Sequence, residues 1–530
     1  MKIRNAKPYR LSFFTLIFFL AHVSSVVSQV SFIEEPSIEI HETIQNKNKD
    51  NTQYDITYSI EPFYDINTFR FIVVMEFKGD KSGETKIILP GEYGGQNNIK
   101  GIKFLKVLSE NSYISDTQKP EIKIVKYPPG ANVKIYYQVE EIRNYGIELG
   151  NQYMVVLNRS YFHFLGETFF VVPSWDNSAE YKLKISWNHM PSNWNMANSF
   201  GVNEKTQSIK IPFWKLRYSI FTGGDFRIVK KTIGNYPVYV SIRGKWNFTD
   251  DQFCETVKEI LRVQRDFWRD HNFPLYLVTV LPIEGSGDQG GTGRTNSYGL
   301  FLSSDRIIDY RLKRVIAHET FHTWLGEKIQ FAEPEQLIYW FKEGISDYYA
   351  RLTLLRANLI SLNEYVAEYN KVLSSYFTSS VRQEKNERLV TDFWNDSDMM
   401  RLPYLRGDII AHNLNYLIIK NSGGIKSLDD LMRDIFKRSQ NESLVVSNGS
   451  LSALIRYYAG DQALSDIMRT LNSGAPLKTY PEALGPCITM EIDSYRQFWL
   501  MGEKYDVPVY NFKSENLVYD YSCTEWFNRK

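Results

Sequence analysis

The sequence predicts a multidomain α+β protein: an N-terminal β-sandwich, then a mixed α/β unit, then a C-terminal α-helical domain. Three observations carry this. At 530 residues the chain is too long for one compact core, since domains usually hold about 100–200 residues. Up to about Pro212, short segments rich in β-branched and aromatic residues alternate with Gly, Asn, Asp and Pro, the pattern of strands and turns. Beyond Leu337, helical spacing of apolar residues dominates to about Leu471.

In chain order, Lys2, Arg4, Lys7 and Arg10 precede the apolar run "LSFFTLIFFLAHV", and small residues end at Ser28. Residues 1–28 therefore read as a secretory signal peptide, with an uncleaved anchor as the alternative; His22 and Ser24–Ser25 interrupt the run. Either way the body is expected to be exported, to a periplasmic, extracellular or cell-surface setting. Residues 29–212 hold the sandwich strands "YDITYSI", "FRFIVVMEF", "ETKIILP", "ANVKIYYQVEE" and "QYMVVLN". Residues 213–355 open with the strands "FRIVKKTI" and "YPVYVSIRG" and continue through a helical run over 250–270 and the strand "LYLVTVLP". A glycine-rich stretch follows, "GDQGGTGRTNSYG", which reads either as a flexible loop or as extended backbone, and then two helices. Residues 356–475 form the helical domain, and residues 476–530 are aromatic-rich and fit no single element. Of the three cysteines, Cys487 and Cys523 are placed to pair across that last segment, leaving Cys254 as a free thiol. Sequons stand at Asn158, Asn247, Asn395, Asn441 and Asn448.

Apolar content of 43% and charged content of 23% fit a globular protein, and after the N-terminus no run approaches the ~18 apolar residues of a membrane helix. The 62 basic residues almost cancel the 61 acidic ones. No overall field favours nucleic acid, which is not expected as a partner, and no membrane span is expected once the signal is removed.

The chemistry is concentrated in "RVIAHETFHTWLGEKIQ", residues 314–330. On a helix, His318 and His322 project from one face about one turn apart, so both imidazoles reach a single ion. Glu319 lies one step round the helix, where it can hold water beside that ion. This is the HExxH arrangement of zinc metallopeptidases. A catalytic zinc needs a third protein ligand and an open fourth position. Glu327, Glu333 and Glu335 read as solvated surface charge. Glu343 instead falls in "LIYWFKEGISDYYARL", on a stripe with Trp340, Asp347, Ala350 and Leu354 that is otherwise apolar, and a buried carboxylate requires a partner. Asp347, one turn on, is placed either to orient a ligand histidine or to form an ordinary salt bridge.

"HETFHTW" followed by "YWFKEGISDYYA" resembles the gluzincin metallopeptidases, and most of all the glycyl-aminopeptidase family with its later W-x-x-E-G-x-x-x-Y-Y pattern. The resemblance implies a thermolysin-like catalytic domain and one Zn2+ per chain held by His318, His322 and Glu343. It implies Glu319 as the general base and a peptide or protein as substrate. It extends to "LPYLRGDIIAHNLNYLI", which is similar to a Tyr-x-Lys-Gly helix start and makes Tyr404 the donor to the oxyanion, with Arg406 in place of the family lysine. The family's Gly-Gly-Leu-Glu-His stretch is matched by "GGTGRTNS", whose Gly290, Gly291 and Arg294, with Arg406, are candidate substrate contacts. Gly293 stands where the family has the glutamate that holds a substrate's amino terminus, so endopeptidase action competes with aminopeptidase action. The 50-odd residues after the helices are too few for the PDZ domain of many relatives, which is not expected here. Two other readings stay open: a zinc hydrolase of a small non-peptide substrate, and a binding protein with a structural zinc.

Overall fold

The computed structural model describes residues 54–65, 68–143, 145–332, 334–496, 504–513 and 521–528; the expected signal peptide lies outside them. The expected fold class holds, with a β-rich region followed by helices. Alternation builds the first sheet. Phe69, Phe71, Val73, Met75 and Phe77 point inward from Phe69–Lys78, which pairs antiparallel with Ile56–Tyr64 and Asn132–Glu140. The six strands of that sheet run in the order 206–212, 180–187, 56–64, 69–78, 132–140 and 102–107. A four-stranded sheet and a five-stranded sheet contribute Ile87, Val125, Phe162, Phe164 and Phe221 to the same core.

The stretch "QYMVVLN" departs from its expected strand. Only Val156–Leu157 pairs, and residues 151–154 form a turn in which Asn151 Oδ1 accepts from Glu148 N at 3.0 Å and Asn151 Nδ2 donates to Gly146 O at 3.1 Å. An asparagine side chain that satisfies the backbone on both sides competes with strand pairing.

The next sheet carries the strands in the order 227–233, 236–242, 276–283, 297–303 and 289–294. The glycine-rich stretch is thus extended backbone: Gln289–Arg294 is an edge strand, antiparallel to Ser297–Ser303, with Asn296 at φ 45° in the turn. Helix Asp250–Trp268 begins at a Thr249/Gln252 capping box and ends at Arg269 in the left-handed region. The first zinc-motif helix spans Tyr310–Phe321, capped by Asp309, whose side chain accepts from Leu312 N at 3.0 Å. The second spans Tyr339–Arg356 and is buried almost all round.

Tyr404 lies inside a long helix, Ser397–Asn421, and not at a helix start. Asp396 caps that helix by accepting from Asp398 N at 2.8 Å and Met399 N at 3.2 Å, so Pro403 sits in its interior although it looks like a first-turn residue. One apolar core runs from Val238 through these helices to the hairpin formed by Ile488–Arg496 and Lys504–Phe512. Cys487 and Cys523 are disulfide-bonded, and Cys254 is buried and free. Among the described residues no helix is long and apolar enough to cross a membrane.

Candidate active site

His318 lies in the last turn of the first helix and His322 at its C-cap, where φ −64° keeps the helical spacing. Their Nε2 atoms are 3.0 Å apart, with the rings nearly perpendicular at 87°. From the second helix, Glu343 Oε2 stands 3.2 Å from His318 Nε2 and 3.3 Å from His322 Nε2. Ligands at about 2.0–2.1 Å from a tetrahedral ion lie about 3.3 Å from one another. The triangle of donors therefore has the edge length of a zinc site, and all three residues are buried.

The opposite ring nitrogens are fixed by other partners. His318 Nδ1 meets Asp347 Oδ1 at 2.8 Å, and His322 Nδ1 meets Leu325 O at 3.0 Å, which leaves both Nε2 atoms for the metal. Asp347 also pairs with Arg314. Burial pushes the Asp347 carboxyl up, but Arg314 and His318 outweigh it and hold it down at about 2.

Glu319 points along the edge strand. A Cβ on Gly291 would lie 2.5 Å from Glu319 Cγ, and one on Gly293 would lie 2.9 Å from His322 Cβ, so glycine at both positions lets the strand approach the helix. Tyr404 reaches the site from the long helix, its ring stacked on His318 at 5.9 Å. Burial raises the Tyr404 pKa well above its ordinary value, and the charges of Glu343 and Asp347 add to this, so the hydroxyl keeps its proton.

Two expected substrate contacts are occupied elsewhere. Arg406 is fully buried and donates to the carbonyls of Arg382 (3.1 Å) and Glu384 (2.7 Å), tying down the segment before the long helix. Arg294 Nη2 pairs with Glu167 Oε1 at 2.9 Å, and its guanidinium lies over the rings of Tyr218 and Tyr93 at 4.6 and 4.8 Å. Glu327 corrects the reading of solvated charge. It is buried, accepts from Asn296 N at 3.1 Å, and desolvation pushes its carboxyl up to about 7. Its position just after a helix end gives no hint of burial, because the tie to Asn296 spans 31 residues. Sequence reasoning also missed Tyr153, whose hydroxyl donates to Gly291 O at 3.0 Å across 138 residues of chain, and no local pattern could have found it.

A fold and a site of this kind are those of a zinc metallopeptidase. The family comparison narrows the class: residues 311–400, which hold both zinc-motif helices, match the family model described as M61 glycyl aminopeptidase. Among solved structures, the fold is similar to an aminopeptidase N family protein from Idiomarina loihiensis, with a TM-score of 0.68, 16% identity, and coverage of 82% of this chain and 79% of that one. It is also similar to an M1 zinc metallopeptidase from Deinococcus radiodurans, with a TM-score of 0.50, 14% identity, and coverage of 81% and 95%. No curated protein matches the sequence.

Proposed function

We propose that the protein is an exported peptidase that hydrolyses peptide bonds with Glu319 as general base. The observation that carries this is the convergence of His318, His322 and Glu343 within 3.0–3.3 Å of one another, with Glu319 set between them and the edge strand. Zinc in that place supplies the charge that acidifies water and polarises the scissile carbonyl. Glu319 takes the proton from water at a carboxylate oxygen and passes it to the leaving amine. Tyr404 donates from its hydroxyl to the developing oxyanion. The backbone of 289–293 lies along the substrate as the edge of a sheet. Export is supported by the basic and apolar N-terminal pattern of residues 1–28 and is compatible with the Cys487–Cys523 bond.

Internal or blocked peptides are favoured over free amino termini. A side chain at position 293 would run into His322, and Arg294, the next residue, is already engaged by Glu167. Position 293 therefore offers an α-ammonium no carboxylate, and the Glu167 carboxylate beside it is already paired with Arg294. The test is direct. Glu319→Gln should retain zinc and lose roughly three orders of magnitude or more in turnover. Matched peptides with free and acetylated N-termini, with and without chelator, should show chelator-sensitive cleavage of the acetylated set. Full activity in Glu319→Gln, or zinc-bound protein that cuts nothing, would overturn the proposal.

A further inference from the structure

We infer that the edge strand reads its substrate through carbonyl oxygens in preference to N–H groups, because beside Glu319 the outward glycine groups left without a partner among the described residues are donors. The inference rests on the peptidase reading above and concerns the same cleft.

The hairpin register decides which backbone groups face outward. Ser303 N donates to Asp288 O at 3.0 Å, and in an antiparallel pair the bonded residues alternate. Carried along the register, this bonds Gly290, Thr292 and Arg294 to the neighbouring strand and turns Gln289, Gly291 and Gly293 outward. Thr295 agrees with that phase and closes the window, since its N–H goes to Tyr218 O at 2.7 Å. The open edge is therefore a short run ending at Gly293.

Within the window both outward glycine carbonyls already accept a side-chain hydrogen bond. Gly291 O accepts from the Tyr153 hydroxyl at 3.0 Å, and Gly293 O accepts from Arg294 Nη1 at 3.2 Å. Burial, with Tyr93 and Glu319 adding to it, raises the Tyr153 pKa, so the phenol remains a donor. The N–H groups of Gly291 and Gly293 meet no acceptor among the described residues. Gly293 is buried, and native proteins rarely leave a buried amide unmatched. Since a Cβ at Gly291 would touch Glu319 and one at Gly293 would touch His322, an oxygen received by these amides lies alongside the base and a zinc ligand.

Ordinary strand addition uses donors and acceptors on both partners. Here the substrate gains little from its own N–H groups opposite Gly291 and Gly293, so amide and ester linkages are accepted alike at these positions. Tyr153 is the residue that sets this specificity.

The test uses zinc-loaded full-length protein and a cleaved peptide in which each non-scissile amide near the cut is replaced in turn by an ester, which removes the N–H and keeps the carbonyl. In the wild type, kcat/KM should change by less than about twofold at the residues lying along the strand. Tyr153→Phe uncovers the Gly291 carbonyl, and one ester should then become about fivefold worse than its amide. A loss of about fivefold or more at alternating residues in the wild type, the signature of pairing through substrate N–H groups, overturns the inference. So does an unchanged pattern in folded Tyr153→Phe. If that variant does not fold, the wild-type series decides alone. Binding of the same series to zinc-loaded Glu319→Gln, followed by calorimetry, reads the preference without turnover. Peptides neither cut nor bound would sink the peptidase reading and the inference with it; peptides cut with an alternating ester penalty sink the inference only.

Discussion

Replacing Asp347 by alanine should weaken zinc binding by about 100-fold, and replacing it by asparagine by about tenfold. The difference follows from what each change removes. The Asp347 carboxylate is ionised at neutral pH, accepts from His318 Nδ1 at 2.8 Å and pairs with Arg314. Asparagine keeps an acceptor for Nδ1–H, so the tautomer and the ring orientation survive while the negative charge behind the imidazole is lost. Alanine removes both and frees the ring to turn. A hydrogen bond to a charged group is worth about 1.5–3 kcal/mol, and about 2.7 kcal/mol is a factor of 100 in affinity. The cost should stay local, because the Arg314 side chain is 37% exposed and can turn to water once its partner is gone. Competition against a chromophoric chelator gives the zinc affinity, and thermal unfolding of the metal-free proteins shows whether the fold is intact. An alanine variant that holds zinc as tightly as the wild type would refute the argument, as would an asparagine variant weaker than the alanine one.

Tyr404→Phe should lower kcat by about 100-fold with little change in KM, since the hydroxyl acts on the developing oxyanion; a change in KM alone would make Tyr404 a packing residue. Gly407→Ala should lower both the melting temperature and the activity, because the added methyl would press on Trp340 O and come within 2.7 Å of Gly344 Cα; a variant of full stability and activity would refute the crossing described below. His163 is buried on Thr279 Oγ1 at 3.1 Å, and burial, then the charge of Arg143, lowers its pKa from 6.5 to about 3. The unfolded chain takes up that proton first, so stability is complete above about pH 6.5 and falls by about 1.4 kcal/mol per pH unit below it, toward about pH 3. His163→Gln should flatten this acid limb in unfolding measured at stepped pH, and an unchanged slope relative to the wild type would refute the assignment.

The sequence made the zinc ligands legible because their spacing is itself the chemistry. Four residues separate His318 from His322 on one helix, and Glu343 is a carboxylate on an apolar stripe. Tyr404 was singled out by likeness to a helix start, and its ring does stack on His318, although the helix that carries it already begins at Ser397. What stayed hidden depends on long-range placement. Arg406 looked like a cleft cation, yet its guanidinium ends on carbonyls 22 and 24 residues back along the chain. Tyr153 sits in a segment whose composition promises a strand, where Asn151 instead holds a turn and the Tyr153 hydroxyl reaches Gly291 O. The glycines of "GGTGRTNS" showed that backbone would come close to something. They could not show that the something was Glu319 and His322.

The glycines that follow Glu343 and precede Asp408 explain how two helices far apart in sequence share one metal site. A Cβ on Gly344 would fall on the Gly407 backbone, 2.7 Å from its carbonyl carbon, so the second zinc-motif helix and the long helix cross backbone to backbone at that point. From this crossing each helix presents a column at four-residue spacing, Glu343, Asp347 and Arg351 on one and Tyr404, Asp408 and His412 on the other. The near ends meet at the metal site, where Tyr404 stacks on His318. The far ends are locked by a buried bidentate pair, Arg351 Nη1 and Nη2 to Asp408 at 2.9 and 2.6 Å, with His412 stacked on Tyr369 at 3.8 Å. A buried ion pair is a poor source of net stability, but it permits only one alignment of its two helices. Here that alignment is the one that stacks the Tyr404 ring on His318, so the pair fixes the geometry of the candidate site from farther along the same two helices.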